Sequence, residues 1–214
     1  PDSSDFSLEV DYSIRAAMYD VGGIPHTEWN GVHAENGGAS GGNWESIYPT
    51  YLELYETFII NQTPYSIGIS GAYEPGNTEV SFDVELLLDS GMDTTVDNTN
   101  MYVELFVSED NIYSYWQHAD VGDQWHNARH VTRQYITKNQ SAKLPISITS
   151  AGDSETFSGI FTLSDAWEHD KVYIQAVVQN LDTYEVFQAI SWKINNLDPD
   201  PDGDVLTYLY DNCP

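Results

Sequence analysis

The residues best equipped for chemistry lie in the last 17 positions. Asp198, Asp200, Asp202 and Asp204 alternate with prolines and a glycine, and Asp211 follows seven residues after Asp204. A calcium ion takes six to eight hard oxygens, and carboxylates at alternate positions can wrap one ion. Two loop registers stay open. Starting at Asp200 places Asp202, Asp204 and Asp211 at ligand positions but Val205 where a glycine is wanted. Starting at Asp198 restores Gly203 to the glycine position but leaves Leu209, which cannot coordinate, at the last one. The alternative is an acidic linker stiffened by prolines.

Other clusters are weaker. His118, His126 and His130 lie near Asp120 and Asp123, and two histidines four apart suit zinc on a helix. The run Arg129 to Ile136 reads as a strand, however, and no HExxH glutamate accompanies them, which favours histidines in an interstrand loop. Carboxylates are too plentiful to single out a hydrolytic pair. No nucleophile elbow is present. The glycines at 37, 38, 41 and 42 lack the lysine and hydroxyl of a phosphate loop. Cys213 is the one cysteine, so it makes no internal disulfide or CxxC pair, and any partner thiol lies on another chain. Trp44, Trp116, Trp125 and Trp167 could stack on sugar rings, or fill a core or a subunit contact.

Composition bounds the partners. The 214 residues carry 7 Lys+Arg against 34 Asp+Glu, a formal charge of -27. No basic face for nucleic acid can be assembled, and an anionic membrane would repel the chain. Hydrophobic residues at 41% are enough for a core, and no apolar run is long enough to span a bilayer. Acidity with abundant Asn, Thr, Ser and Tyr suits an extracellular setting. Asn61-Gln62-Thr63 and Asn139-Gln140-Ser141 match the glycosylation sequon. The absence of an initial Met and of a signal peptide reads as a mature or excised piece. Four of the seven cations lie from Arg129 to Lys143. Arg129 and Arg133 are therefore candidate assembly contacts with an acidic neighbour, or else pair internally.

Three zones position these residues. In residues 1–62, Phe6, Val10, Ile14 and Met18 recur at helical spacing until Val21-Gly22-Gly23. Ile24 to Gly31 reads as a short strand closed by an Asn-Gly turn. Residues 44–60 form a second helix with Pro49 in its first turn and Tyr48, Leu52, Tyr55 and Ile59 on one stripe. Residues 63–195 alternate apolar and polar around Tyr65–Ile69, Val80–Leu86, Phe157–Leu163, Val172–Val178 and Val186–Ile194, with a buried-strand pattern at Tyr102-Val103-Glu104-Leu105-Phe106-Val107. Turn signals at 74–77, 89–91 and 180–183 separate them. Six or seven antiparallel strands predict an immunoglobulin-like antiparallel β-sandwich, mainly β, behind a small α/β segment. Residues 196–214 are the acidic tail.

Three stretches carry a resemblance. Val21 to Gly31, with Pro25 and Asn30-Gly31, is one. Val107-Ser108-Glu109-Asp110-Asn111-Ile112, Tyr115-Trp116 and His126 to Arg133 form the second. Val172 to Asn180 with Val186 to Ala189 is the third. Together they resemble the C-terminal part of secreted, outer-membrane-associated thioredoxin-like proteins of Bacteroidetes. The resemblance implies that residues 1–62 are a partial thioredoxin-like segment and that Pro25 is its cis-proline. The CxxC that such a proline faces would lie upstream of residue 1. Without a thiolate no redox chemistry follows, and the missing half leaves a face for another chain to cover. The tail, with Asp211-Asn212-Cys213-Pro214, resembles the opening of a thrombospondin type 3 repeat, which implies calcium as the bound ion. The combined expectation is a non-enzymatic extracellular structural or adhesive module, self-associating or docked on another surface protein in an assembly or filament. The alternatives are a glycan-binding module of a larger secreted protein and a redox-inactive thioredoxin-like fragment.

Overall fold

A computed structural model describes residues 9–38, 43–91, 96–116, 122 and 124–198. The predicted β-sandwich is present, with an α/β segment before it. In the second zone, strand β4 (Glu79–Leu88) shows how alternation builds the core. Val80, Phe82, Val84, Leu86 and Leu88 are buried, while Glu79, Ser81, Glu85 and Leu87 face solvent. Successive side chains of a strand point to opposite faces, so one face is dry and the other wet.

β4 pairs antiparallel with β3 (Tyr65–Ala72) and β10 (Ser154–Thr162), giving a three-stranded sheet in the order β10-β4-β3. The opposing sheet has the order β12-β11-β5-β8, from β5 (Met101–Glu109), β8 (Val131–Tyr135), β11 (Val172–Asn180) and β12 (Val186–Lys193). The two-residue β9 (Leu144–Pro145) also joins β5. Met101, Val103, Leu105 and Val107 of β5 and Val172, Ile174, Ala176 and Val178 of β11 close on the β4 face to make one core. Burying each of these Val, Leu, Ile and Met side chains contributes roughly 1.5–3 kcal/mol. The Tyr65 and Phe187 rings meet edge to face at 6.3 Å where β3 and β12 approach, and Gln188 Nε2 donates to Tyr65 O across the same seam at 3.1 Å.

The β5 run is buried on both sides for a reason. Its even residues lie on the outer face of the sheet, where Arg15 of helix α1 (Glu9–Met18) lies over Phe106 and where Lys143 and Thr137 meet Glu104. The stripe that docks is polar. Asp11 Oδ2 accepts the Tyr135 N–H at 3.0 Å, and Asp11 Oδ1 lies 2.6 Å from Lys138 Nζ. Arg15 Nη1 donates to Gln179 Oε1 at 2.9 Å, with its guanidinium 5.4 Å from the Phe106 ring. Ile14, on the predicted apolar stripe, is exposed. Phe6 lies outside the described residues.

The α1 helix ends at Met18, three residues before the predicted stop at Val21-Gly22-Gly23. Asp20 takes φ 49°, Val21 N donates to Ala16 O and Asp20 N to Ala17 O, the paired bonds of a Schellman cap. A hairpin follows, β1 (His26–Trp29) and β2 (His33–Asn36), turned through Asn30 and Gly31 with φ 48° and 71°. Two successive positive φ values match the right-handed twist of a tight hairpin. The turn docks on the sandwich, where Val186 N donates to Asn30 O at 2.8 Å. Helix α2 (Tyr48–Ile59), with Pro49 in its first turn, packs Tyr51 on Trp29 with ring centroids 5.4 Å apart.

Candidate functional site

The strands β5 and β8 do not stop at the edge of the sandwich. They continue as β6 (Ile112–Trp116) and β7 (Gln124–Ala128), which pair only with each other among the described residues. The result is a two-stranded arm. Its base is a kink, with Asn111 at φ 55° on one strand and His130 at φ 49° on the other. Asp110 fixes that kink. Its carboxylate accepts Arg129 Nε at 2.6 Å, Arg129 Nη2 at 2.9 Å and the His130 N–H at 3.1 Å. The Arg129 guanidinium, helped by the His130 and Asn111 N–H groups, lowers the Asp110 pKa to about 2. Its neighbour Glu109 accepts Arg133 Nε at 2.8 Å and the Glu168 N–H at 2.9 Å.

An isolated two-stranded ribbon is marginal in water and needs cross-strand contacts. Here aromatics supply them. Tyr113 and Tyr115, two apart, share a face with Trp125, which is the register partner of Tyr115. Tyr113 and Trp125 stack with centroids 4.9 Å apart and planes at 19°, and Tyr115 flanks Trp125 at 5.5 Å. All three remain exposed, at 60%, 42% and 48%. The row therefore both braces the arm and presents ring surface to solvent, where aromatic faces and edges bind apolar or C–H-rich partners.

The predicted site residues are scattered. Pro25 follows a cis Ile24-Pro25 peptide at the entry to β1. It borders an open cleft of about 360 Å³ lined by Asp20, Gly22, Gly23, Asn36 and Gly37. Arg129 and Arg133 are both engaged internally, on Asp110 and Glu109, so acidic partners for the basic segment are supplied within the chain. Asp198 sits beside the end of β3, its N–H donating to Gly71 O and its carbonyl accepting from Tyr73 N. Asp200, Asp202, Asp204, Asp211 and Cys213 lie outside the described residues, as do His118, Asp120 and Asp123. His126 is on β7 and His130 in the kink, its ring 5.6 Å from that of Tyr173. No three potential metal ligands converge among the described residues. Of the four tryptophans singled out, Trp167 packs against the core and Trp125 is on the arm. The side chains of Trp44 and Trp116 lie outside the description.

Sequence reasoning missed the arm as a unit. Its signal was readable in part: Ile112 to Trp116 places Tyr113 and Tyr115 at alternate positions, and Gln124 to Ala128 carries Trp125, five residues per strand.

No protein-family model matches the chain, and no curated protein matches it. Among solved structures it is similar to a domain of the outer membrane lipoprotein Omp28 from Porphyromonas gingivalis. The identity is 13% and the TM-score 0.41, over 65% of this chain and 93% of that one. The comparisons add nothing to the thioredoxin-like or calcium-repeat resemblances. No helix among the described residues is long and apolar enough to cross a membrane.

Proposed function

We propose that this chain is a non-enzymatic extracellular module with a structural or adhesive role in a surface assembly. The observation that carries this reading is the β6–β7 arm, which holds an aromatic row in solvent while the Asp110–Arg129 clamp fixes its base. A rigid, exposed aromatic surface suits contact rather than turnover, because Tyr and Trp supply large contact area at low entropic cost. In this reading the tail carboxylates Asp198, Asp200, Asp202, Asp204 and Asp211 bind calcium, which orders a segment whose charges otherwise repel.

Two measurements test the proposal. Retention of the purified chain on a solid matrix of immobilised surface protein or polysaccharide is expected to fall at least about tenfold in a Tyr113→Ala/Trp125→Ala variant, the loss typical of removing aromatic anchors. Retention unchanged by that variant overturns the adhesive role of the arm. Thermal midpoints in calcium and in chelator are expected to differ by several degrees, as for any ligand that binds only the folded state. Identical midpoints overturn structural calcium.

A second reading is a glycan-binding module of a larger secreted protein, favoured by the same exposed Tyr113–Trp125–Tyr115 row. A glycan array decides it. Selective binding of one glycan class, lost in Trp125→Ala, supports this second reading over general adhesion.

A further inference from the structure

Helix α2 carries more apolar surface than its neighbours cover. At 100° per residue, Leu54, Phe58 and Tyr51 form one stripe, and Tyr55, Tyr48, Ile59 and Leu52 form the next. The first stripe is half-buried and faces the β1–β2 hairpin, with Tyr51 on Trp29 and the Phe58 ring 6.5 Å from that of His33. The second is exposed, Tyr48 at 55%, Tyr55 at 53% and Ile59 at 61%. No residue of the helix is buried. Of the fourteen large hydrophobics exposed among the described residues, nine fall between Tyr12 and Ile60. The Tyr48–Leu52–Tyr55–Ile59 stripe of α2 is thus an apolar face that nothing described covers, a pattern that marks an interaction surface.

Charge says what fits there. Glu56 and Glu53 follow the exposed stripe around the helix, at about 80° and 140° from Tyr48. No Lys or Arg occurs between Arg15 and Arg129. Six of the seven cations are already committed inside the fold: Arg15 to Gln179, Arg129 to Asp110, Arg133 to Glu109, Lys138 to Asp11, Lys143 to Glu104 and Lys171 to Glu168. A second copy of the chain would bring the same acidic flank against this one, and like charges across an interface cost several kcal/mol. A partner with an apolar ridge and Lys or Arg on its rim meets both requirements.

We infer that the Tyr48–Leu52–Tyr55–Ile59 face of α2 docks a different protein, one that presents an amphipathic helix or ridge with a basic border. This is independent of the aromatic arm and of the tail.

The probe is a synthetic amphipathic Leu/Lys helical peptide, titrated by fluorescence anisotropy against the full chain at 150 mM salt. Wild type is compared with Leu52→Ser/Ile59→Ser, which leaves the charge unchanged, and with Glu53→Gln/Glu56→Gln. Folding of both variants is checked by circular dichroism, and neither changes a buried residue. The serine variant is expected to bind at least about tenfold more weakly, since truncating hot-spot side chains commonly costs more than 1.4 kcal/mol. The glutamine variant is expected to lose affinity and salt dependence together. Equal binding by wild type and the serine variant would mean attraction by net charge alone and would overturn the inference. Sedimentation showing a wild-type dimer that the serine variant abolishes would overturn it in favour of self-association.

Discussion

Lys143 Nζ lies 2.6 Å from Oε1 of Glu104, a residue with no exposure at all. Tyr135 OH and Thr137 Oγ1 also donate to Glu104, the latter at 2.7 Å. Burial and the adjacent carboxylate raise the Tyr135 pKa, so the phenol stays a donor. Glu104 sits on the outer face of β5, so a charge in the middle of a strand is tolerated because this network satisfies it. Removing one partner leaves the other charge buried and unpaired, at about 3–5 kcal/mol. Lys143→Met is therefore expected to cost that much in urea unfolding. Glu104→Leu with Lys143→Met is expected to recover most of it, because a matched apolar pair leaves no orphan charge. A double variant as unstable as the single one would contradict this account.

The Asp110–Arg129 clamp makes the arm sensitive to acid. The Asp110 pKa is about 2 in the fold against roughly 3.9 in an unfolded chain. A depressed carboxylate contributes stability that is present above the unfolded value and is lost as pH falls through the folded one. Between pH 5 and 2 the loss assigned to Asp110 is about 1–2 kcal/mol, reduced from the full linkage value because the Arg129 side chain is 65% exposed. Comparing wild type with Asp110→Asn across that range isolates it. The difference between them should shrink toward pH 2, and a constant difference would rule the clamp out as the cause.

The strands were legible because one force fixed them. Val80 to Leu88 and Val172 to Val178 alternate at period two, and a one-residue slip would expose every core side chain. The burial of Tyr102–Val107 was readable from its buried-strand pattern, but what covers its second side was not. That cover depends on Asp11 and Arg15 meeting Tyr135, Lys138 and Gln179. These contacts span 124 to 164 residues, and no local pattern encodes them. Arg129 and Arg133 illustrate the same limit. A basic cluster on an acidic chain leaves an outward-facing patch and internal pairing both open, and no local pattern names Asp110 and Glu109 as the partners of Arg129 and Arg133. The helical stripe of α2 was legible, yet periodicity cannot tell a buried stripe from an exposed one.

His26 on β1 is poised to hold a proton. Its Nε2 lies 2.7 Å from Glu28 Oε1 and its Nδ1 2.5 Å from Asn36 Oδ1. Two acceptors facing one ring favour the imidazolium, and the Glu28 contact raises the pKa above 6.5 first, then Asn36. A raised histidine stabilises the fold fully below its unfolded value and loses that contribution as pH rises through the folded one. Titration by NMR should show His26 above 6.5 and return it toward that value in Glu28→Gln. An unshifted resonance in wild type would remove the hairpin's histidine clasp.

Gly31 is where the β1–β2 turn meets the sandwich. A Cβ there would lie 1.9 Å from Tyr184 O, at a φ of +71° that L side chains rarely adopt. That carbonyl already accepts Gln179 Nε2 at 2.6 Å, so it cannot simply retreat. Two other glycines separate strain from contact. Gly37 has φ +91° with nothing near its Cβ direction, and Gly22 has neither problem. Gly22→Ala should fall within about 0.5 kcal/mol of wild type. Gly37→Ala should cost about 1 kcal/mol, the conformational term alone. Gly31→Ala should cost about 2–4 kcal/mol, because strain and a backbone clash add. It should also free the turn, since Val186 N loses its bond to Asn30 O, and limited proteolysis should then cut within residues 20–38 while the sandwich stays intact. Equal effects at Gly31 and Gly37 would mean that the close approach to Tyr184 does not hold the hairpin in place.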